Sequence, residues 1–255
     1  MNVVHRRQIA EAFSAAGDYD RHARVQRLVA RRLAERIAAL PLPDAPRILE
    51  IGCGTGFLTE ALIERKPRAE WLITDIAPEM IERCRARIGE APGRRFAVLD
   101  GEYGTPDDGG FDLICSSLVM QWFDDHAAAL SRMLQWLAPG GRCIFATLGA
   151  GSFAEWRAAH AAEGTEPGTP RFPSSTEFAA MLPETQSRPP EVERHVERHD
   201  SALDFMRSLR AIGAHTAARK HRPLPPSTLR RVMRNFEAAG GAVSYEVVTC
   251  HHQRA

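Results

Sequence analysis

The sequence predicts an α/β fold: a seven-stranded, mostly parallel sheet with helices on both faces. Three features carry that expectation. Short apolar runs of strand length alternate with stretches of helical period between residues 44 and 148. The first run, Arg47–Ile51, opens straight into Gly52-Cys53-Gly54-Thr55-Gly56 and then into a helical stretch from Phe57. Polar or small residues stand where the runs end, namely Gly52, Asp75, Asp100 and Ser116. In a parallel sheet those ends share one edge, and ligands bind along it.

Taken in order, residues 8–16 read as a helix that Gly17 ends. A longer helix follows, with Val25, Leu28, Val29, Leu33, Ile37 and Leu40 on one stripe and Arg21, Arg24, Arg27, Arg31, Arg32 and Arg36 opposite. Pro41 and Pro43 close it. After Arg47–Ile51 the strands are Trp71–Thr74, ending at Asp75; Phe96–Leu99; Phe111–Ser117; and Arg142–Leu148. Pro78 sits near the first turn of the helix after the second strand. A helix over 127–137 reaches the fifth strand through a tight Pro139-Gly140-Gly141 turn. Between 149 and 190 Gly and Pro become frequent, which suits a lid with short helices over 152–162 and 175–182. Residues 192–199 read as a sixth strand, 202–212 and 229–238 as helices, and 242–250 as the last strand. One domain is expected over 1–255: N-terminal helices (1–40), a core (44–148), a lid (149–225), and a C-terminal helix and strand (226–255).

Composition narrows the class. The chain has 255 residues, 44% apolar and 25% charged, as in an ordinary globular protein. A net charge of +1 argues against bulk electrostatic binding of nucleic acid. No apolar run approaches the roughly 20 residues of a membrane span, and the N-terminus has no apolar signal core. Cys53, Cys84, Cys115, Cys143 and Cys250 are dispersed without a C-x-x-C pair, which suits reduced thiols in a cytoplasm. No metal site is expected, since only His251 and His252 are adjacent.

The glycine loop narrows the ligand. A dinucleotide fold wants G-x-G-x-x-G, and this chain has Phe57 where the third glycine would fall. No Lys-Ser/Thr pair follows, so the loop is no P-loop. Glu50 at the strand end would repel a pyrophosphate and favour a cationic amino-acid group. Asp75 falls nineteen residues after Gly56, where a carboxylate can accept two hydrogen bonds from ribose hydroxyls; its simpler role is a helix N-cap. Ile76 and Met80 are placed to cover a base.

The stretch Glu50-x-Gly52-x-Gly54-x-Gly56 resembles motif I of class I S-adenosylmethionine-dependent methyltransferases. That likeness implies a Rossmann-like fold with a lid after the fifth strand, S-adenosyl-L-methionine as donor, S-adenosylhomocysteine as product, and no metal. It also implies that Asp100, flanked by Gly101 and Glu102, meets the adenine amino group. Further stretches are similar to the malonyl-acyl-carrier-protein O-methyltransferases of biotin synthesis. They are Ala12-Phe13-x-x-Ala16-x-x-Tyr19-Asp20-x-x-Ala23-x-x-Gln26, Ser117-Leu118-Val119-Met120-Gln121-Trp122, Thr147-Leu148-x-x-x-Ser152-Phe153-x-Glu155, Arg171-Phe172 and Met206–Ala214. The chain departs from that family at Ser117, where Asn is usual, and at Gly101, where an apolar residue is expected.

The resemblance implies methyl transfer to the free carboxylate of malonyl-acyl-carrier protein or malonyl-CoA. A carboxyl group with a reference pKa of about 4 is ionised at pH 7, so no general base is required. The site must align the acid with the sulfonium methyl and keep water out. Arg171 is the first candidate to orient the carboxylate and Arg207 the second, since a guanidinium fork matches a carboxylate. Tyr19 and Gln26 would close over the donor, Ser116 and Gln121 would flank it, and Trp122 and Phe172 would form a dry wall. The arginine face of residues 21–36, or Arg219, Lys220, Arg222, Arg230, Arg231 and Arg234, would dock an acidic carrier. No nucleic-acid or membrane partner is expected, and the chain is expected to act as a cytoplasmic monomer. The alternatives are a methyltransferase for a small acid such as trans-aconitate, and a non-catalytic module that binds S-adenosylmethionine or a carrier protein.

Overall fold

The computed structural model describes residues 3–183, 187–218 and 221–255. Arg219 and Lys220 of the expected basic cluster therefore lie outside the described residues. The elements are α1 (Val3–Ser14), α2 (Tyr19–His22), α3 (Arg24–Ala38), β1 (Arg47–Ile51), α4 (Phe57–Arg65), β2 (Glu70–Asp75), α5 (Pro78–Ile88), β3 (Arg94–Val98) and β4 (Phe111–Ser117). They continue with α6 (His126–Trp136), β5 (Leu137–Leu148), α7 (Ala154–Ala161), α8 (Ser175–Met181), β6 (Ser187–Arg198), α9 (Ala202–Ala211), α10 (Pro226–Ala238) and β7 (Ala242–Gln253).

The seven strands form one sheet in the order β3-β2-β1-β4-β5-β7-β6. The pairs from β3 to β5 are parallel, and β7 runs antiparallel to both β5 and β6. The sheet is therefore mostly parallel, with one reversed strand. Its two faces are filled by alternate residues of each strand. Ile48, Ile73, Cys115 and Ile144 meet α3, α4 and α5 through Leu33, Ile37, Leu62 and Cys84. Leu49, Leu72, Ile114 and Phe145 meet α6 and α8 through Leu130, Met133 and Phe178. A strand buried on both faces reads as a near-continuous apolar run, and so β1, β4 and β5 stand out in the sequence.

Three element boundaries differ most from expectation. The N-terminal helix begins at Val3, five residues earlier than its pattern indicates. Pro139-Gly140-Gly141 is an irregularity inside β5 rather than a turn before it: Leu137 already pairs with Phe111. Arg254 N–H donates to Gly141 O at 2.8 Å there, and a Cβ at Gly141 would come 2.6 Å from Phe111 O. β6 begins at Ser187 and carries Pro189 and Pro190 where its register to β7 shifts. It is an edge strand, so the missing proline N–H groups cost no ladder bond on its open side.

The segment after β5 is anchored by aromatics. Phe153 holds a positive φ of 58° and donates its N–H to Ser244 O at 2.6 Å. Its ring meets Tyr245, Phe172 and Phe205 at 5.2, 5.9 and 5.9 Å between centroids. At the end of α9, Gly213 turns with φ +72°, and a Cβ there would lie 2.9 Å from both Ala12 O and Phe13 Cα of α1. Among the described residues no helix is long and apolar enough to cross a membrane.

Gly213→Ala forces a left-handed backbone on alanine, at about 1–2 kcal/mol, and pushes α9 off α1. The total loss expected in urea unfolding is about 2–3 kcal/mol, once the overpacking is included. A loss under about 0.5 kcal/mol contradicts the close packing of these two helices.

Candidate active site

The glycine loop takes its shape from β1 and β2. Cys53 N–H donates to Thr74 O at 2.8 Å, and Gly56 N–H returns to Cys53 O at 2.9 Å. Gly52 has φ +71°, and a Cβ there would collide with Val119. The Asp75 carboxylate fastens this loop to the start of α5. One oxygen accepts from Gly54 N–H at 2.8 Å and the other from Ala77 N–H at 2.9 Å. Burial pushes the Asp75 carboxyl up to about 6, against the backbone donors that favour its charged form. Glu50 is pushed up to about 7, chiefly by burial and also by the nearby Asp75 charge, while its hydrogen bond from Thr59 Oγ1 at 2.7 Å pulls it down.

A cleft with a free volume of about 60 Å³ opens above the loop. Gly52, Gly54, Asp75, Ile76, Met80 and Gly101 line it, and Tyr19 and Trp122 close it. Several residues expected there do not line it. Glu50 lies buried under the loop on Thr59. Asp100 is gripped by Arg6, with Nε–Oδ2 at 2.9 Å and Nη2–Oδ1 at 2.5 Å. Glu102 is fully buried and accepts from Asp124 N–H and Asp125 N–H at 2.9 and 2.8 Å. Ser116 donates to Ile51 O at 2.8 Å, and strand alternation brings Ser117 to the cleft instead. Gly56 is the left-handed N-cap of α4, where a Cβ would sit 3.0 Å from Cys84 Sγ. Gly101 has a packing reason: a side chain there would strike Ile51, and Phe123 Cζ would lie 3.2 Å away.

Sequence reasoning missed the cover of this cleft. Arg6, Ile9 and Phe13 of α1 line its open side. Arg6 also donates to Trp122 O at 2.9 Å, and Phe13 meets Trp122 edge-on at 5.5 Å. The signal was present as the spacing of Arg6, Ile9, Phe13 and Ala16, one face of a helix. The Tyr19 hydroxyl is driven well above its ordinary range, first by burial and then by Asp75 and Asp20, so it remains a protonated donor.

Beside the cleft lies a larger cavity of about 330 Å³. Leu118 and Trp122 line both spaces and form the wall between them. Leu118 holds a positive φ of 56°, fixed by its N–H on Ala146 O at 2.7 Å. Strained backbone of this kind gathers at functional sites. The cavity walls are aromatic, from Trp122, Phe153, Trp156, Phe172, Phe205 and Tyr245. Gln26 and Gln121 line this cavity rather than the cleft. Gln121 is already committed, donating to Leu118 O at 2.7 Å and accepting from Thr147 Oγ1 at 3.0 Å. Among the described residues no Asp, Glu, Lys or Arg lines the cavity.

The two arginines expected to hold a carboxylate are therefore not in it. Arg171 is drawn outward to Glu177, which caps α8 jointly with Ser174. Ser174 N–H, then Arg171, hold the Glu177 carboxyl down to about 2. Arg207 lies on the exposed face of α9, with its side chain 70% exposed and 3.9 Å from Asp204. Among the described residues no cluster of three His, Cys, Asp or Glu could hold a metal ion.

The raised acids predict how stability varies with pH in the ligand-free protein. The folded chain binds more protons than the unfolded chain between the unfolded and folded pKa values. Stability should therefore fall as pH rises from about 4 to about 7, by on the order of 3 kcal/mol for Asp75 alone. Unfolding titrations at stepped pH should show this slope, and Asp75→Asn should flatten it. An unchanged slope in the variant contradicts the burial of this charge.

A family described as methyltransferase domain matches residues 49–143. The bifunctional biotin biosynthesis protein BioCD of Bordetella avium is 47% identical over 94% of this chain, which spans about half (51%) of that protein's length. The malonyl-[acyl-carrier protein] O-methyltransferase of Magnetococcus marinus is 38% identical over 97% of this chain and 93% of its own. The crystal structure of the YcgJ protein of Bacillus subtilis aligns with a TM-score of 0.60 at 17% identity, covering 87% of this chain and 97% of that one, a likeness of fold. The sheet order, the glycine loop fastened by Asp75 and these likenesses together place the chain in the malonyl-[acyl-carrier protein] O-methyltransferase family.

Proposed function

We propose that the chain transfers the methyl group of S-adenosylmethionine to the free carboxylate of a malonyl thioester borne by an acyl-carrier protein. The observation that carries this is the shared wall. A cleft built on the glycine loop and Asp75 meets an uncharged cavity at Leu118 and Trp122. When bound, the donor supplies an electrophilic methyl carbon: the carboxylate oxygen forms the new bond to it as the carbon–sulfur bond breaks, and that electron pair stays on sulfur.

The residues present fit such a donor. Gly52 and Gly54 leave room for close approach. The Asp75 carboxylate keeps acceptor capacity beyond its backbone bonds, as a pair of ribose hydroxyls requires. Ile76 and Met80 offer an apolar surface to the base, and Tyr19 closes the amino-acid end. Ile9, Phe13 and Tyr19 would have to give way as the donor enters.

The uncharged cavity has a catalytic logic. The attacking carboxylate loses its charge in the transition state, so a tight ion pair would stabilise the ground state more than the transition state. Neutral donors, the Gln26 amide and the Trp122 indole N–H, orient an acid at lower cost of that kind. A small polycarboxylate such as trans-aconitate would bring further charges into a cavity lined, among the described residues, by no Lys or Arg, which is unfavourable. A thioester brings one.

An acidic carrier would meet the cavity mouth. Arg222 and Arg230 are exposed and adjoin the lining residues His221, Pro223 and Leu229. The other expected surfaces are partly neutralised: Arg32 and Arg36 pair with Glu193 and Glu191, and Arg231 with Glu163. The same reading has the enzyme acting as a cytoplasmic monomer, in keeping with its five free, buried cysteines.

Mass spectrometry of the purified chain with S-adenosylmethionine should show the methyl ester of malonyl-carrier and none of trans-aconitate. Donor binding with no ester on any acid would favour a non-catalytic binding module. Reversing charge at Arg222 and Arg230 should raise KM for malonyl-carrier about tenfold, corresponding to about 1.4 kcal/mol, and leave malonyl-CoA unaffected. Equal losses on both substrates reject the docking surface.

A further inference from the structure

Among the described residues, the wall of the large cavity holds one buried polar side-chain atom with no hydrogen-bond partner, and methyl transfer does not use it. His160 stands on α7 in the cavity wall, 3% exposed, with its ring 4.9 Å from that of Trp156 in an edge-on contact. Its Nδ1 is 3.1 Å from Thr165 Oγ1, and that hydroxyl donates to the His160 carbonyl oxygen, also at 3.1 Å. With the hydroxyl hydrogen committed there, Nδ1–H is the donor to Thr165 and Nε2 keeps its lone pair. Burial, and then the neighbouring His221, hold the ring below its ordinary pKa, so it is neutral. Nε2 is buried and has no hydrogen-bond partner. Among the described residues it is the one such imidazole nitrogen in the wall of this cavity.

A bare buried acceptor costs about 1–3 kcal/mol, and a ligand that donates to it recovers that loss. A neutral imidazole lone pair repels a carboxylate, so the ligand group here is not the acid. His221, close enough to act on His160, lines the cavity beside the exposed Pro223, the side from which a carrier-borne arm would enter. The acid belongs at the other end, at Leu118 and Trp122. An acyl thioester on a pantetheine-type arm has an amide N–H two methylenes beyond the sulfur, on the mouth side of the acid. Most of the remaining surface is apolar or aromatic, including Leu148, Phe153, Trp156, Phe205 and Leu209, which suits the methylenes.

We infer that His160 Nε2 accepts a hydrogen bond from the first amide N–H of the acyl-thioester arm, so the mouth half of the cavity is an amide subsite. This rests on the thioester substrate proposed above. The subsite selects for the carrier arm itself, whatever protein or nucleotide bears it. It gives the buried, unpartnered His160 Nε2 a partner.

The test compares two small malonyl thioesters, one of 2-acetamidoethanethiol and one of 2-acetoxyethanethiol. They keep the same carbonyl and length, and only the first has the N–H. Affinities are measured by NMR titration with S-adenosylhomocysteine present, and ester formation is followed separately with S-adenosylmethionine. The native chain should bind the amide about tenfold more tightly, the worth of one neutral hydrogen bond. His160→Phe keeps the ring against Trp156 and should bind the two alike. His160→Gln, which can place an oxygen near the Nε2 position, should keep a preference for the amide. Equal binding by the native chain, or a tenfold preference surviving in His160→Phe, overturns the subsite. An intact amide preference without any methyl ester supports the subsite and contradicts the methyl-transfer reading.

Discussion

The site depends on one buried carboxylate held by two backbone N–H groups. Asp75 joins the loop after β1 to the first turn of α5, so its two hydrogen bonds fix the distance between the surfaces that enclose the cleft. The charge is expensive there, as the upward push on Asp75 and Glu50 shows. A buried acid in such a position costs stability in the ligand-free fold and lowers the free energy of a ligand that brings hydroxyl donors or positive charge. Stability given up by the fold thus becomes affinity at the cleft.

The rest of the molecule brings cover to that loop from distant parts of the chain. α1 lies over the cleft and is locked through Arg6 to Asp100 and to the backbone of Trp122. The end of α9, which lines the larger cavity through Met206 and Leu209, packs at Gly213 directly on α1. The helix covering one space and the helix lining the other are therefore in contact. The wall between the spaces is short, and its central residue, Leu118, is held in a backbone conformation that leucine rarely adopts. Among the described residues the lining beyond it carries no Asp, Glu, Lys or Arg.

Much of this was legible in the sequence because the signals were local. The apolar runs of β1, β4 and β5, the glycine spacing and the distance to Asp75 each lie within one β-α unit. Where the structure places an expected residue away from the cleft or cavity, its partner lies outside its own element. Asp100 looked free to meet a base, yet its partner Arg6 is 94 residues away in sequence. Arg171 looked like a carboxylate clamp beside Phe172, but the Ser174-x-x-Glu177 spacing is a helix capping box, and it places an acid where that arginine reaches it. Period-two alternation also decides between adjacent serines: with Ser116 turned to the Ile51 backbone, Ser117 faces the cleft. No local pattern marked His160, whose role emerges only where α7 meets the mouth segment.

The most direct test of this account is a crystal structure of the chain with S-adenosylhomocysteine and a non-hydrolysable malonyl-thioester analogue. The carboxylate should lie at the wall formed by Leu118 and Trp122, with an oxygen facing the sulfur along the line of transfer, in contact with neutral donors only. A carboxylate found on Arg171 or Arg207, or outside the cavity altogether, would contradict it.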